Sequence, residues 1–222
     1  MRSSMHRDFW QTRWDEGRIG FHQDEINPYL QRYWPSLGVT PGATVFVPLC
    51  GKSRDMLWLS EQGYSVIGVE IVARAVEAFF AENNLTVTQR QHGAFTLWES
   101  EGIKIFQGDF FSLGADDVAG ITTVYDRASL IALPPAMRQR YAAQLRSIMP
   151  SKMSVLLVTM DYPQAEMGGP PFAVTEQEVA LLYQDYFKIE LLCSEDILAA
   201  NPRFQDQGLS RLQEKIYVLT ER

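Results

Sequence analysis

Runs of Val, Ile and Phe over residues 44–47 and 64–69 are continuous rather than alternating. That is the pattern of strands buried on both faces of a parallel sheet. Between them lies a helical stretch, 55–62, which Gly63 stops. Residues 121–127 and 153–160 read as two more strands of this sheet. Residues 96–100 and 103–106 flank Glu101-Gly102 as a hairpin whose second arm joins the sheet, and 87–95 fit no single period. Segments 187–192 and 215–219 close the sheet as an antiparallel pair. Helices are predicted at 73–83, with Val76, Phe79 and Phe80 inward, and at 137–149, with Tyr141, Leu145 and Ile148 on one face. A third spans 175–184, with Thr175 as N-cap and Glu178 as its capping-box partner. Residues 199–212, carrying Arg203, read as a polar loop. Ahead of the first strand come two short aromatic helices: 9–14, and one opened by Asn27-Pro28 that turns Tyr29, Leu30, Tyr33 and Trp34 inward. Trp10 is expected in the core. Trp14 fits equally a cap on the sheet edge and a lid over a ligand, where a ring excludes water and attracts a cation.

The first βαβ unit is the most informative stretch. Its first strand breaks at Pro48 and enters the turn Leu49-Cys50-Gly51-Lys52-Ser53, and its second strand ends in Glu70. In open parallel sheets ligands sit beyond the carboxyl ends of the strands. A carboxylate about 20 residues after the first turn can accept from both hydroxyls of a ribose. A dinucleotide would want Gly-x-Gly-x-x-Gly at the turn, and only one of those glycines is present. A P-loop would want glycine where Phe46 stands. S-adenosylmethionine needs a ribose acceptor and no phosphate cradle, so the glycine-poor turn suits it best. A Rossmann-like unit whose glutamate only caps or solvates remains the plain alternative.

Composition narrows the field. The chain has 222 residues and a net charge of −7, with no basic cluster among aromatics, so neither nucleic acid nor an anionic membrane is expected as a partner. Two cysteines, Cys50 and Cys193, cannot build a disulfide scaffold or a four-ligand zinc site. His6, His22 and His92 are scattered without metal spacing and read as structural or surface residues. No metal is expected. There is no 18-residue apolar run and no signal-peptide pattern, so the expectation is a cytoplasmic protein forming one domain over 1–222, with 1–40 as a helical cap.

Polar groups recur at the predicted strand ends: Glu70, Asp109, Asp126, Arg127 and Asp161, beside Leu49. Asp109 is placed to meet an adenine amino group or to make a local Asx turn. No Ser-His-Asp set and no paired carboxylates for hydrolysis appear. A group transfer from a bound donor asks less of the protein. Methyl transfer from a sulfonium is an in-line displacement that alignment and water exclusion accelerate. A thiol of low pKa arrives ionised and needs no base, and an arginine can hold the anion. Arg127 and Asp161 are the catalytic candidates.

Several stretches carry a resemblance that covers nearly the whole chain. They are Phe9-Trp10-Gln11 to Trp14, Gly20-Phe21-His22-Gln23, Phe46-Val47-Pro48-Leu49-Cys50-Gly51-Lys52, Gly68-Val69-Glu70, Tyr125-Asp126-Arg127, Gly169-Pro170-Pro171-Phe172 and Glu214 to Glu221. In that order they resemble the thiopurine S-methyltransferase family, its bacterial members most of all. The resemblance implies a class I S-adenosylmethionine-dependent methyltransferase (Rossmann-like α/β) fold: a seven-stranded, mostly parallel sheet with an antiparallel last strand, helices on both faces and the N-terminal cap. It implies S-adenosylmethionine as donor, with Trp14, Leu49, Glu70, Asp109, Phe110 and Arg127 on cofactor positions. Phe21, Arg127, Pro170, Pro171 and Arg203 fall on acceptor positions. The implied reaction is S-methylation of thiopurines and other aromatic or heterocyclic thiols, with selenium and tellurium species as further bacterial acceptors, by a monomer. The alternative is a nucleoside-binding regulatory module without turnover, and a nicotinamide oxidoreductase is disfavoured by the missing glycines.

Overall fold

The computed structural model describes residues 2–149 and 152–222, with side chains from Arg7 onward, so His6 lies outside the described side chains. Val45, Phe46 and Val47 are buried, as a continuous apolar run requires. They form β1 (Thr44–Val47), which pairs in parallel with β2 (Ser65–Glu70). The connection is α3 (Asp55–Glu61), whose Met56 and Leu59 are fully buried. β2 pairs in parallel with β5 (Ile103–Gln107), after the crossover α4 (Ala73–Glu82) that buries Ala75, Val76, Phe79 and Phe80. β5 then continues antiparallel into β4 (Phe95–Ser100), and β4 into β3 (Thr88–His92).

The chain divides into two compact units, the first ending at Val118 and the second beginning at Ala119. In the first the strand order is β3-β4-β5-β2-β1. It also holds α1 (Arg2–Asp15) and α2 (Pro28–Tyr33). Asn27 caps α2, its side chain accepting from the Tyr29 and Leu30 amides at 3.0 and 3.3 Å. The Asn27 amide in turn donates to the buried Asp55 carboxylate at 2.8 Å, which ties the start of α2 to the start of α3.

In the second unit the order is β6-β7-β9-β8, from β6 (Ile121–Arg127), β7 (Ser154–Asp161), β8 (Phe187–Asp196) and β9 (Gln213–Glu221). β6 and β7 are parallel, and β9 runs antiparallel to both β7 and β8. The helices are α5 (Ser129–Ala132), α6 (Pro135–Ile148), α7 (Glu176–Tyr183) and α8 (Pro202–Asp206). Thr175 caps α7 as expected, its hydroxyl accepting from the Glu178 amide at 3.2 Å. The Glu178 carboxylate, expected to close a capping box, meets Arg138 at 2.5 Å.

Three expectations need correction. The described residues form nine strands, not seven, because β3 and β4 extend the first unit as a meander beyond β5. Residues 199–212 are not a polar loop. They contain α8, and Phe204, Leu209 and Leu212 pack into a buried cluster with Tyr162 and Ala173. Trp10 is half-buried, while Trp14 is the tryptophan of α1 that reaches the core, against Val72 and Ala75.

Candidate functional site

The turn after β1 takes its shape from two left-handed residues, Leu49 at φ 48° and Gly51 at φ 53°. Glycine adopts that region freely, whereas leucine does so at a cost. The Cys50 amide donates to Val69 O at 3.0 Å, which docks the turn on the end of β2. The Cys50 side chain packs where Gly68 has no Cβ: an atom added there would lie 2.8 Å from Sγ. Burial first, and Glu70 second, push the Cys50 thiol well above its usual pKa, so it stays protonated. Lys52 leaves the turn to pair with Glu82 at the end of α4, at 2.7 Å.

Glu70, the last residue of β2, ties down this turn. Its side chain is buried, yet every partner it has among the described residues is a backbone amide. Gly51 donates to Oε2 at 2.9 Å and Val72 to Oε1 at 2.9 Å. Burial raises the Glu70 pKa, and the amides of Val72, Gly51 and Ile71 oppose that rise. A carboxylate offers about four acceptor sites, so about two remain after Gly51 and Val72. A vicinal diol could fill them. The Trp14 ring covers the same turn, 3.5 Å from where a Cβ on Gly51 would stand. Phe21 packs edge-on to Trp14 with centroids 5.8 Å apart, and to Trp10 at 5.6 Å. The aromatic N-terminal segment is thus a cover on this turn.

Asp109 and Phe110 follow β5. Asp109 Oδ1 accepts from the Phe111 amide at 3.0 Å and caps a short 3-10 turn, the local bond open to it from sequence. The Phe110 ring points into the core and stacks on Phe46, with centroids 6.5 Å apart.

The second unit carries the other expected groups. Arg127 ends β6 half-exposed, and its guanidinium has no hydrogen-bond or ion-pair partner among the described residues. Ala128 follows with φ 71° and turns the chain into α5. Beside it, Asp126 is completely buried and accepts from the Tyr141 hydroxyl at 2.6 Å. Burial lifts its pKa to about 6 against the pull of Tyr141 and Ser129. Asp161 was expected among the catalytic groups. Its two oxygens are taken by Arg211 at 3.1 Å and Lys215 at 2.9 Å, and those cations hold its pKa down against burial. Such a carboxylate fixes the end of β7 and is poorly suited to take a proton.

Pro170 and Pro171 lie in a segment held at several points. Pro171 O accepts from Tyr162 Oη at 2.6 Å, the Phe172 amide donates to Ile131 O at 2.7 Å, and the Val174 amide to Met160 O at 2.7 Å. Arg203 stands on α8, exposed, with its guanidinium 4.5 Å from the Phe204 ring centroid. Arg138 was not singled out from the sequence, although it is fully buried and bonds this segment. Its spacing from Tyr141, three residues along α6, was the available signal.

The sequence matches the family described as Thiopurine S-methyltransferase over residues 5–222. The chain belongs to the thiopurine S-methyltransferase family. It is 54% identical over 218 residues to the thiopurine S-methyltransferase of Nitrosospira multiformis, a match covering 98% of this chain and 99% of that one. It is 50% identical to that of Azotobacter vinelandii, over 98% and 100% of the two chains. Among solved structures it is similar to 1,6-didemethyltoxoflavin-N1-methyltransferase of Burkholderia thailandensis with bound S-adenosylhomocysteine, at TM-score 0.67 and 17% identity over 99% and 88% of the chains. A SAM-dependent methyltransferase from Anabaena variabilis gives TM-score 0.65 and 15% identity over 97% and 95%. At these identities the likeness concerns the fold, which is that of class I S-adenosylmethionine-dependent methyltransferases. In this member of the thiopurine S-methyltransferase family the turn after β1 is made with a left-handed leucine and one glycine, Leu49 and Gly51.

Proposed function

We propose that this chain transfers the methyl group of S-adenosylmethionine to the sulfur of thiopurines and related aromatic or heterocyclic thiols. The observation that carries the reading is Glu70: a buried carboxylate at the tip of β2, bonded among the described residues only to backbone amides and roofed by Trp14 through the turn it supports. Those residues fit the donor. Glu70 accepts from the ribose hydroxyls, Leu49 and Gly51 allow close approach, Asp109 and the backbone of Phe110 flank the adenine, and Trp14 keeps water out. When bound, the donor supplies an electrophilic methyl on a sulfonium. The thiolate sulfur forms the new bond to that carbon as the bond to the sulfonium breaks, giving a thioether and S-adenosylhomocysteine. No proton moves in that step if the thiol arrives ionised. Arg127 holds the anionic acceptor, and Pro170, Pro171 and Arg203 shape its surroundings; Phe21 is read as an acceptor-side residue from its match to the family pattern.

Asp161 serves this reading as an ion-paired anchor for the end of β7. We place the protein in the cytoplasm as a monomeric single-domain enzyme without a nucleic-acid partner. A net charge of −7 speaks against a nucleic-acid partner, and among the described residues no helix is long and apolar enough to cross a membrane. The test is transfer of labelled methyl to 6-mercaptopurine, with selenol and tellurite acceptors in parallel. Tight S-adenosylhomocysteine binding with no turnover on any of them would leave a binding module instead.

A further inference from the structure

Arg138 is a fully buried arginine on α6, and it spends its donors on three separate segments. Nε donates to Leu130 O at 3.2 Å and Leu133 O at 3.0 Å, the carbonyls of α5 and its end. Nη1 donates to Ala173 O at 3.0 Å and to Glu178 Oε2 at 2.5 Å. The guanidinium carbon lies 5.9 Å from the Phe172 ring centroid. Nη2 is buried with no partner among the described residues.

A buried ion pair is a poor way to gain stability, since an apolar side chain of like volume fills the same space without desolvating a charge. One unpartnered nitrogen makes the balance worse. What a guanidinium provides, and an apolar group cannot, is a rigid fork that fixes the distance between several acceptors. Here the backbone acceptors, Leu130 O, Leu133 O and Ala173 O, belong to the two segments that carry the acceptor-side residues. α5 begins two residues after Arg127, across the left-handed Ala128. Ala173 and Phe172 directly follow Pro170-Pro171, and the Phe172 amide reaches Ile131 O on α5 at 2.7 Å.

We infer that Arg138 is a positioning residue for the thiol acceptor: it locks α5 to the Pro170–Ala173 segment and so sets where Arg127 stands relative to the proline wall. Glu178 is its counter-ion and shares the role. The inference rests on the acceptor assignments made under the proposed function. The test compares Arg138→Lys, Arg138→Met and Glu178→Gln with wild type. Four quantities are read: melting temperature, S-adenosylhomocysteine Kd, and kcat and KM for 6-mercaptopurine. Arg138→Lys keeps the charge and loses the fork. It should raise the acceptor KM about tenfold while the Kd stays within twofold. Glu178→Gln should move KM the same way by a smaller factor, and carries the test if Arg138→Met does not fold.

A lower melting temperature with acceptor KM and kcat unchanged at a temperature where the variant is folded would overturn the inference. So would a Kd that weakens in step with KM, because the damage would then be general. Pro170→Ala separates the two layers of the argument. If wild type methylates 6-mercaptopurine and Pro170→Ala leaves its KM unchanged, the assignment of this segment to the acceptor fails, and the role of Arg138 fails with it. If Pro170→Ala shifts KM and Arg138→Lys does not, only the role of Arg138 fails.

Discussion

Removing the Glu70 carboxylate separates what it does for the fold from what it does for the ligand. In the free protein it accepts from Gly51 in a partly buried turn and from Val72 in a buried one. Leaving a buried amide without an acceptor costs about 1–3 kcal/mol, so Glu70→Ala should lower stability by that order before any ligand is added. The ribose hydroxyls then lose a charged acceptor whose desolvation is already met in the free fold. That loss is worth about 1–3 kcal/mol, or roughly a 5- to 150-fold weaker Kd. Glu70→Gln is no milder. Its amide group would face either the Gly51 or the Val72 N–H, donor against donor, where each oxygen now sits 2.9 Å away. Calorimetric titration of S-adenosylhomocysteine into wild type and both variants gives the binding part, and melts without ligand give the folding part. Adenosine carries the same ribose and should lose affinity by a similar factor. Variants that melt lower yet bind S-adenosylhomocysteine with the wild-type Kd would refute the placement of the sugar at Glu70.

Three other outcomes follow from the structure. The Asp126 pKa is raised from 3.8 to about 6, so the native state binds the extra proton between those values and stability falls as pH rises through that window. The fall amounts to ~3 kcal/mol at about 1.4 kcal/mol per unit; Asp126→Asn should flatten it in melts taken from pH 4 to 8, and an undiminished slope would show that another group is responsible. Trp14→Ala should cost about 3–5 kcal/mol at its site. Because Trp14 is what packs α1 against Val72 and Ala75, the loss should appear as faster hydrogen exchange over residues 8–15 and weaker cofactor binding; retained protection of α1 would contradict the cover it forms. Arg127→Ala should reduce kcat/KM for the thiol at least tenfold more than Arg203→Ala, since Arg127 has no protein partner among the described residues while Arg203 leans on Phe204; equal losses would remove the distinction.

How much of this could be read from the sequence depended on whether the signal was local. β1, β2, β6 and β7 announced themselves, because a strand buried on both faces writes its burial as an unbroken apolar run. Glu70 was legible for a related reason: the strand that ends in it fixes its height above the first turn. β3 was not legible. Its residues, Thr88-Gln89-Arg90-Gln91-His92, include no apolar side chain, and it is a strand only because β4 offers it an edge. α8 was hidden in the same way. Phe204, Leu209 and Leu212 are spread thinly among polar neighbours, and their burial comes from Tyr162 and Ala173, about forty residues earlier. Glu178 kept the spacing of a capping box but found Arg138, forty positions away, a stronger partner for its charge.

The charged groups at the strand ends looked alike as letters, and the structure sorts them by what answers their charge. Asp161 is answered by Lys215 and Arg211, and Lys52 by Glu82, so each is committed to holding segments together. Among the described residues Glu70 is answered only by amides, which stabilise its charge without cancelling it, and Arg127 by no side chain. An anionic acceptor site and an uncancelled cation are the two features that a neutralising transfer asks of a protein. A sulfonium and a thiolate lose both charges together, so the enzyme has no proton to store and no buried charge to create. Groups that hold a proton through the reaction would be idle. Asp126, a strand-end carboxylate whose pKa burial lifts to about 6, is sealed away behind Tyr141 with no exposed surface, where it can tune the fold but cannot meet the acceptor.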